Sequence, residues 1–442
     1  MTDPPLPSDL PDEPSAGTVA PAATPRDGRT FRVGIIGDGQ LARMTAPVAT
    51  ELGIELHLLA GSWLSSAAQV IPRTIIGDYR HTDDALRLAE RVDVITFDHE
   101  HVPAEVLTAL QDAGVALHPG PQALRYAQDK LAMRAAVEDL ELPNPQWRQV
   151  STAAELTEFG DGVGWPVVLK TPRGGYDGKG VRVLHSAADV EATADWFARA
   201  AEEGTGLLAE EKVPFTRELS AQVARSATGE IRAYPVVQSD QRDGVCDLVT
   251  APAPATEPDL LEQAAEIALT LAERLDVTGM LAVELFEISD GERRGVFVNE
   301  LAMRPHNSGH WSMDGAVTGQ FEQHLRAVLG LPLGETGLVT GDGGFTVMKN
   351  IFGGAVPQLH TALAEAMRLA PEAKVHLYGK APRAGRKVGH VTIVGASPQA
   401  SAAQSPAEAG AQALQQTPHQ EIRTAQDRAT ELAHRLSEGG TP

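Results

Sequence analysis

Apolar and polar positions follow two different periods along this chain, and the switches between them mark its elements. RVGIIG, ELHLLA and DVITFD are short apolar runs of the kind a buried strand needs. QLARMTAPVATELG and DALRLAERV place apolar residues three and four apart, as a helix face does. Pro47 interrupts the first of these helical stretches. Strands alternating with helices at this spacing predict a parallel, doubly wound sheet. A second region opens with the helix KLAMRAAVEDLEL, which stops at Pro143. Beyond it the pattern turns to α+β. VVLK, VRVL, GLLAEEKV, ELSAQVARS, IRAYPVVQS, LAVELFEI and GVFVNELA read as strands, with ADVEATADWFARAAEE and LLEQAAEIALTLAERLD as helices among them. Short strands and turns from about 331 to 394 predict a small β-rich module.

The expected fold class is thus α/β joined to α+β, with a parallel-sheet region over 31–128, a central region over 129–330 and a β-rich region over 331–396. Residues 1–30 are rich in Pro, Ala, Asp and Ser and hold too little apolar surface to order themselves, so they read as a tail. Ala, Gln, Glu and Ser dominate 397–442, which reads as a second, low-complexity tail carrying one solvated helix around EIRTAQDRATELAHRL.

Composition narrows the function. The 442 residues carry a net charge of −22, which argues against a nucleic-acid surface. Basic residues do gather in KAPRAGRKVGH, and on so acidic a chain a local focus points to a small anionic ligand. No apolar run approaches the roughly 18 residues of a membrane helix, and MTDPPLPSDLPDEPSAG lacks the basic-plus-apolar pattern of a signal peptide. A cytoplasmic protein without membrane partners is expected. The lone Cys246 excludes an intramolecular disulfide and a cysteine zinc cluster.

Candidate chemistry begins with LKTPRGGYDGKGVRV, where Gly174, Gly175, Gly178 and Gly180 stand between two strands with Lys170 before them and Lys179 among them. A bare backbone lets amides converge on an anion, and lysines add charge. Gly180 follows Lys179 where a P-loop needs a hydroxyl, and a strand follows where a dinucleotide fold needs a helix. A hairpin with a mobile tip folding over a nucleotide fits; so does an ordinary hairpin. G37-D38-G39-Q40-L41-A42 matches a second glycine pattern at a strand-to-helix junction, where amides at a helix N-terminus suit a phosphate.

LAVELFEISDGERRGVFVNELA is the most informative stretch. Alternation puts Glu284, Phe286 and Ile288 on one face of a strand, and Val296, Val298 and Glu300 on one face of the next. With Asp290 and Gly291 near the turn, Glu284 and Glu300 would lie opposite one another, roughly 5 Å apart at Cβ. Paired carboxylates in apolar surroundings call for a cation, and oxygen ligands beside phosphates specify Mg²⁺, one ion or two, with Asn299 or a phosphate oxygen completing the sphere. The alternatives are a register slip or a pairing with Arg293 or Arg294. LAMRPHNSGHWS follows directly, a polar loop holding Arg304, His306, Asn307, Ser308 and His310, suited to an anionic transferring group. Magnesium's preference for oxygen argues against His306 and His310 as ligands. In LLAEEKVPFTRELS, Glu210 and the backbone at Lys212 and Val213 could meet an adenine edge, and Glu218 the ribose hydroxyls.

The order lysine, glycine-rich lid, hinge carboxylate and metal carboxylates resembles the ATP-grasp superfamily. Within it, GDGQLAR, FDHEHVP, AQDKLAMRA, VVLKTPRGGYDGKGV, AEEKVPFTRELS, GMLAVELFE, VNELAMRPHNSGHW and GRKVGH resemble the successive motifs of the N5-carboxyaminoimidazole ribonucleotide synthetases, from about Val33 to Val394. The resemblance implies an N-terminal Rossmann-like domain, an ATP-grasp domain and a small β-rich C-terminal domain. It implies a carbon–nitrogen ligase that couples ATP, bicarbonate and 5-aminoimidazole ribonucleotide in purine biosynthesis. ATP contacts would come from Lys130, Lys170, Gly175, Tyr176, Asp177, Gly178, Lys179, Gly180, Glu210, Glu211, Lys212, Val213, Glu218, Asn299 and Glu300. Glu284 and Glu300 would hold Mg²⁺, with Mn²⁺ an alternative ion. Tyr176, Arg304, His306, Asn307 and Lys387 would carry the chemistry, and Gln40, Glu100, Ser308 and Arg386 would join Arg304, His306, Asn307 and Lys387 around the ribonucleotide. A homodimer is implied as well. His99 and His101 stand where that family commonly has an aromatic and an asparagine, so contacts near the imidazole are expected to differ. Met303 stands where proline is usual, which relaxes the loop, and Lys130 where arginine is frequent, still able to meet a phosphate as a point charge. Two other readings remain: a sister ATP-grasp ligase such as a formate-dependent glycinamide ribonucleotide transformylase, or a catalytically silent nucleotide-binding paralogue.

Overall fold

The computed structural model describes residues 25, 28, 30–175, 180–396 and 418–439. Strands Arg32–Ile36, Glu55–Ala60, Arg73–Ile76, Val94–Phe97 and Ala116–Leu117 form one parallel sheet, with the third, second, first, fourth and fifth lying side by side. Both faces are apolar because both are covered. Ile36, Leu59 and Ile95 face Leu88, Val106 and Leu110, while Ile35, Leu58 and Val94 face Ala42, Ala49 and also Leu325 and Val328. The last two belong to the helix Gln320–Val328, so the central region supplies part of the N-terminal core. The helix Gln40–Glu51 runs through Pro47 without a break, contrary to the interruption expected there.

A small antiparallel sheet follows, ordered Trp147–Val150, Leu207–Glu211, Val167–Lys170 and Val181–Leu184. Its last two strands are the expected hairpin, with Lys170 opposite Val181, and the Thr171 amide donates to the Gly180 carbonyl at 2.9 Å. Gly180 has φ +74°, and a Cβ there would lie 2.4 Å from Thr171 Oγ1, so the closing turn requires glycine.

The largest sheet has nine strands. Its spine runs Gly295–Ala302, Gly279–Ile288, Arg217–Arg225, Val237–Arg242 and Val245–Ala251, and the ladder continues into Phe345–Phe352, Lys387–Gly395 and Lys374–Leu377. Leu248 to Ala251 pair with Thr346 to Lys349, so the β-rich residues extend the central sheet. That continuity carries Arg386 and Lys387 to the central region. IRAYPVVQS splits into Ile231–Ala233 and Val237–Arg242, which pair with the same strand at different places.

The C-terminal stretch departs from expectation. Helix Pro418–Glu438 is packed, not solvated: Ala425, Ala429, Leu432, Ala433 and Leu436 are buried against Phe345, Val347, Ile351, Val391 and Ile393. These positions fall three and four apart, an apolar stripe that the surrounding Gln, Glu and Arg obscure. Polar ties fix both ends. Gln426 donates to Thr250 Oγ1 at 2.9 Å, Arg428 meets Glu372 at 3.0 Å, and the Val356 amide donates to the Ser437 carbonyl at 2.7 Å. Among the described residues no helix is long and apolar enough to cross a membrane. Leu432→Ala should lower unfolding stability by about 2–5 kcal/mol in denaturant titrations. An unchanged midpoint would show that the helix stands free of the sheet.

Candidate active site

Strands Gly279–Ile288 and Gly295–Ala302 form the floor of a cavity of about 920 Å³ whose roof is the small antiparallel sheet. Their register sets Glu284 directly opposite Glu300. The pairing is obtained in an unexpected way. Leu285 pairs with Val298 and Phe286 with Phe297, then the register shifts by one residue, so Asn299 is the extra residue of a bulge. Val296 and Val298 therefore point into the core with Val283 and Leu285, opposite to the shared face expected for them and Glu300. The bulge brings Asn299 and Glu300 into the same cavity, which regular alternation forbids.

Electrostatics follows from that face-to-face pair. Burial, then the charge of Glu300, then that of Glu218, push the Glu284 carboxyl up to about 8. Lys130 Nζ lies 2.7 Å from Glu300 Oε1. Arg293 and Arg294, the alternative partners, are engaged elsewhere, with Glu211 at 2.7 Å and Asp259 at 2.6 Å.

The loop after Glu300 closes the far end. Arg304 binds Glu100 at 2.8 Å and joins the loop to the N-terminal domain. Burial alone would raise the Glu100 carboxyl, but the Arg304 guanidinium holds it at about 2. Burial, with Arg304 and Lys387 nearby, lowers His306 to about 3, so its ring is neutral. The Ser308 amide donates to His306 Nδ1 at 3.4 Å, which leaves the ring proton on Nε2, 3.6 Å from Glu284. The buried Oδ1 of Asn307, also on the cavity wall, has no hydrogen-bond partner among the described residues.

Gln40, Glu100, Lys130, Lys170, Gly175, Glu210, Glu211, Lys212, Val213, Glu218, Glu284, Asn299, Glu300, Arg304, His306, Asn307, Arg386 and Lys387 all line this cavity. Tyr176, Asp177, Gly178 and Lys179 lie outside the described residues. One expectation needs correction, and two of the lining carboxylates are already engaged by the protein. Ser308 is fully buried behind His306, bonded to Ser220 at 2.8 Å and Gln222 at 3.0 Å, and supports the imidazole instead of touching the cavity. The Glu210 carboxylate, expected at an adenine edge, is held by Arg134 at 2.5 Å and Lys170 at 2.7 Å. Glu211 grips Arg293 with both oxygens at 2.7 Å and accepts from the Gln146 amide at 2.9 Å. At the start of the Gln40 helix, the buried Asp98 carboxylate accepts from the Gly39 amide, so that amide is not free for a phosphate.

Sequence reasoning missed Arg134 and Lys380. Arg134 sits on the apolar face of the helix Lys130–Asp139, and an arginine inside an apolar stripe was the available signal. Lys380 lines the cavity and bonds Gln40 Oε1. Cys246 reaches the same wall, where burial pushes its thiol up to about 12 and leaves it unreactive.

A nucleotide-sized cleft between a small antiparallel lid sheet and a larger sheet bearing paired acidic residues defines an ATP-grasp ligase. Residues 135–321 match the ATP-grasp domain, 30–128 the ribonucleotide synthetase preATP-grasp domain, and 346–404 the phosphoribosylaminoimidazole carboxylase C-terminal domain. The N5-carboxyaminoimidazole ribonucleotide synthase of Mycobacterium tuberculosis is 50% identical over 82% of this chain and 83% of its own, and that of Corynebacterium ammoniagenes 45% over 84% and 89%. Among solved structures, the Aspergillus clavatus enzyme in complex with ADP and 5-aminoimidazole ribonucleotide superposes with a TM-score of 0.75 at 29% identity, covering 92% of this chain and 99% of that one. The Thermus thermophilus synthetase gives 0.73 at 37% identity, over 83% and 95%. This chain belongs to the N5-carboxyaminoimidazole ribonucleotide synthase family.

Glu218 lies at the cavity's edge, where burial and then Asp240 push its carboxyl up to about 7. A carboxyl whose folded pKa is raised stabilises the fold below its unfolded pKa, and that contribution is lost as pH rises through about 7. The nucleotide-free protein should therefore lose melting temperature between pH 5 and 8 more steeply than Glu218→Gln. Parallel pH profiles of the two would show that Glu218 ionises normally.

Proposed function

We propose that this chain uses ATP to carboxylate 5-aminoimidazole ribonucleotide with bicarbonate, releasing N5-carboxyaminoimidazole ribonucleotide, ADP and phosphate. The observation that carries this reading is the single cavity in which Glu284 and Glu300 face each other beside Arg304, His306, Asn307 and Lys387.

A divalent cation suits the acidic pair. Among the described residues no three His, Cys, Asp or Glu side chains are arranged to cage a metal by themselves. Two carboxylates facing one cavity, one of them resisting ionisation because of burial and then because of the other, suit a magnesium ion that shares its coordination with phosphate oxygens. Glu284 and Glu300 would hold one ion or two, and Mn²⁺ accepts the same oxygens. Such an ion supplies neutralisation of charge on the transferring phosphoryl group. Lys130 pairs with Glu300 and Lys170 bonds Asn299, and this position beside the acidic pair supports contacts to phosphates, with the backbone at Lys212 and Val213 and the Glu218 carboxyl meeting base and ribose.

Bicarbonate is a weak nucleophile, so alignment with the γ-phosphate is most of the task. Attack of a bicarbonate oxygen on phosphorus, with departure of ADP, yields carboxyphosphate, which water destroys. A glycine-rich hairpin over the cleft supports exclusion of that water. Arg304 and the neutral His306, with a proton on Nε2, offer donors to the carboxylate and phosphate oxygens of the intermediate. The unpartnered Asn307 Oδ1 offers an acceptor to the substrate amine. Arg386 and Lys387 would grip the ribonucleotide 5′-phosphate, where a guanidinium fork matches two oxygens. The amine nitrogen then attacks the carboxyl carbon, phosphate leaves, and the departing phosphate is basic enough to take the amine proton. A cytoplasmic homodimer completes the reading.

ADP release should require both 5-aminoimidazole ribonucleotide and bicarbonate in a coupled assay, and Glu300→Gln should lower coupled turnover at least ~100-fold. Phosphate release from glycinamide ribonucleotide with formate would assign the site to a different ligase.

A further inference from the structure

Arg134 is fully buried, and a buried guanidinium is tolerated only when its donors are met. Its Nε donates to Glu210 Oε1 at 2.5 Å. One terminal nitrogen reaches Asn144 Oδ1 at 3.0 Å and the Val298 carbonyl at 2.6 Å, and the other the Asn299 carbonyl at 2.9 Å. Glu210 uses its second oxygen for Lys170, 2.7 Å away, and Lys170 reaches back to Asn299 Oδ1 at 3.3 Å. The four residues close a ring, through both the carbonyl and the side chain of Asn299, that joins the helix Lys130–Asp139, two strands of the lid sheet and the bulged strand.

We propose that Arg134 is a positioning residue for phosphoryl transfer, fixing Lys170 in the lid relative to the bulge that aims Asn299 and Glu300 into the cavity. The inference rests on the nucleotide reading given above. Two physical points carry it. Gly295–Ala302 is the outermost strand of its sheet, so its outward backbone groups have no neighbouring strand. Arg134 takes two of its carbonyls at the bulge, and the Pro143 carbonyl accepts from the Val298 amide at 3.0 Å. A planar fork can hold the Glu210 oxygen and both carbonyls at once, which an ammonium cannot. The second point is charge. Arg134 and Lys170 share one negative charge on Glu210, so positive charge is left over at the Lys170 end, facing the cavity. Without Arg134, Glu210 would neutralise Lys170 alone.

Calorimetric titration of the full chain with ADP, with and without Mg²⁺, tests this. Arg134→Met should weaken ADP binding under both conditions, and Mg²⁺-dependent binding by ~10- to 100-fold. Arg134→Lys restores a second cation beside Glu210 but not the fork, so metal-free ADP affinity should stay near that of the unaltered protein while the gain from Mg²⁺ falls about tenfold. Arg134→Met combined with Glu210→Leu removes the buried charges together and should recover melting temperature without recovering Mg²⁺-dependent binding. Arg134→Lys or the double variant binding Mg²⁺ and ADP as tightly as the unaltered chain would overturn the proposal. An unaltered chain that bound ADP yet failed to carboxylate the ribonucleotide would refute the assigned reaction while leaving this comparison intact.

Discussion

Two carboxylates held opposite one another across neighbouring strands repel, and the surroundings of this site answer that repulsion. Lys130 pairs with Glu300, the neutral His306 turns its Nε2 toward Glu284, and Glu284 itself resists ionisation. A local excess of negative charge is unfavourable in a folded chain unless a cation enters, which supports the divalent ion proposed for the floor of the cleft. The bulge at Asn299 is what makes the floor, because it turns two consecutive residues toward the same space.

Positive groups are arranged around that floor by three separate parts of the chain. The lid sheet brings Lys170, tied to Glu210. The loop after Glu300 brings Arg304, tied to Glu100 of the N-terminal domain. The C-terminal strands bring Lys387 because they extend the central sheet. Lys170 and Arg304 each have a carboxylate partner that fixes their position, and a protein of net charge −22 thereby concentrates positive charge where anionic substrates would sit. The C-terminal helix contributes indirectly, by covering the apolar face of the strands that carry Lys387.

The alternation of LAVELFE and GVFVNELA, the glycines of GGYDGKG and the crowded RPHNSGHW were enough to assign strands, hairpin and polar loop, since local periodicity and turn chemistry act within a few residues. They also named Gly175, Glu284, Asn299, Glu300, Arg304, His306 and Asn307 on the cavity wall. The facing of Val296 and Val298 was misjudged because a bulge breaks the period on which the inference stood. Ser308 looked like its neighbours in the loop, and burial separated it from them. The ion pairs of Glu210 and Glu211 were not legible because their partners, Arg134 and Arg293, are 76 and 82 residues away. The C-terminal helix was mistaken for a solvated one, its narrow apolar stripe outweighed by its polar composition.

By itself, then, the sequence determined which side chains carry charge, where strands and helices begin, and that two glutamates would meet near a basic loop. Tertiary structure alone decided which carboxylates face ligand and which are consumed by ion pairs, which residue the bulge displaces, and that a buried arginine joins lid to floor. Those outcomes depend on distances between segments far apart in the chain. Such distances are set when sheets stack and cores close, and no local pattern encodes them.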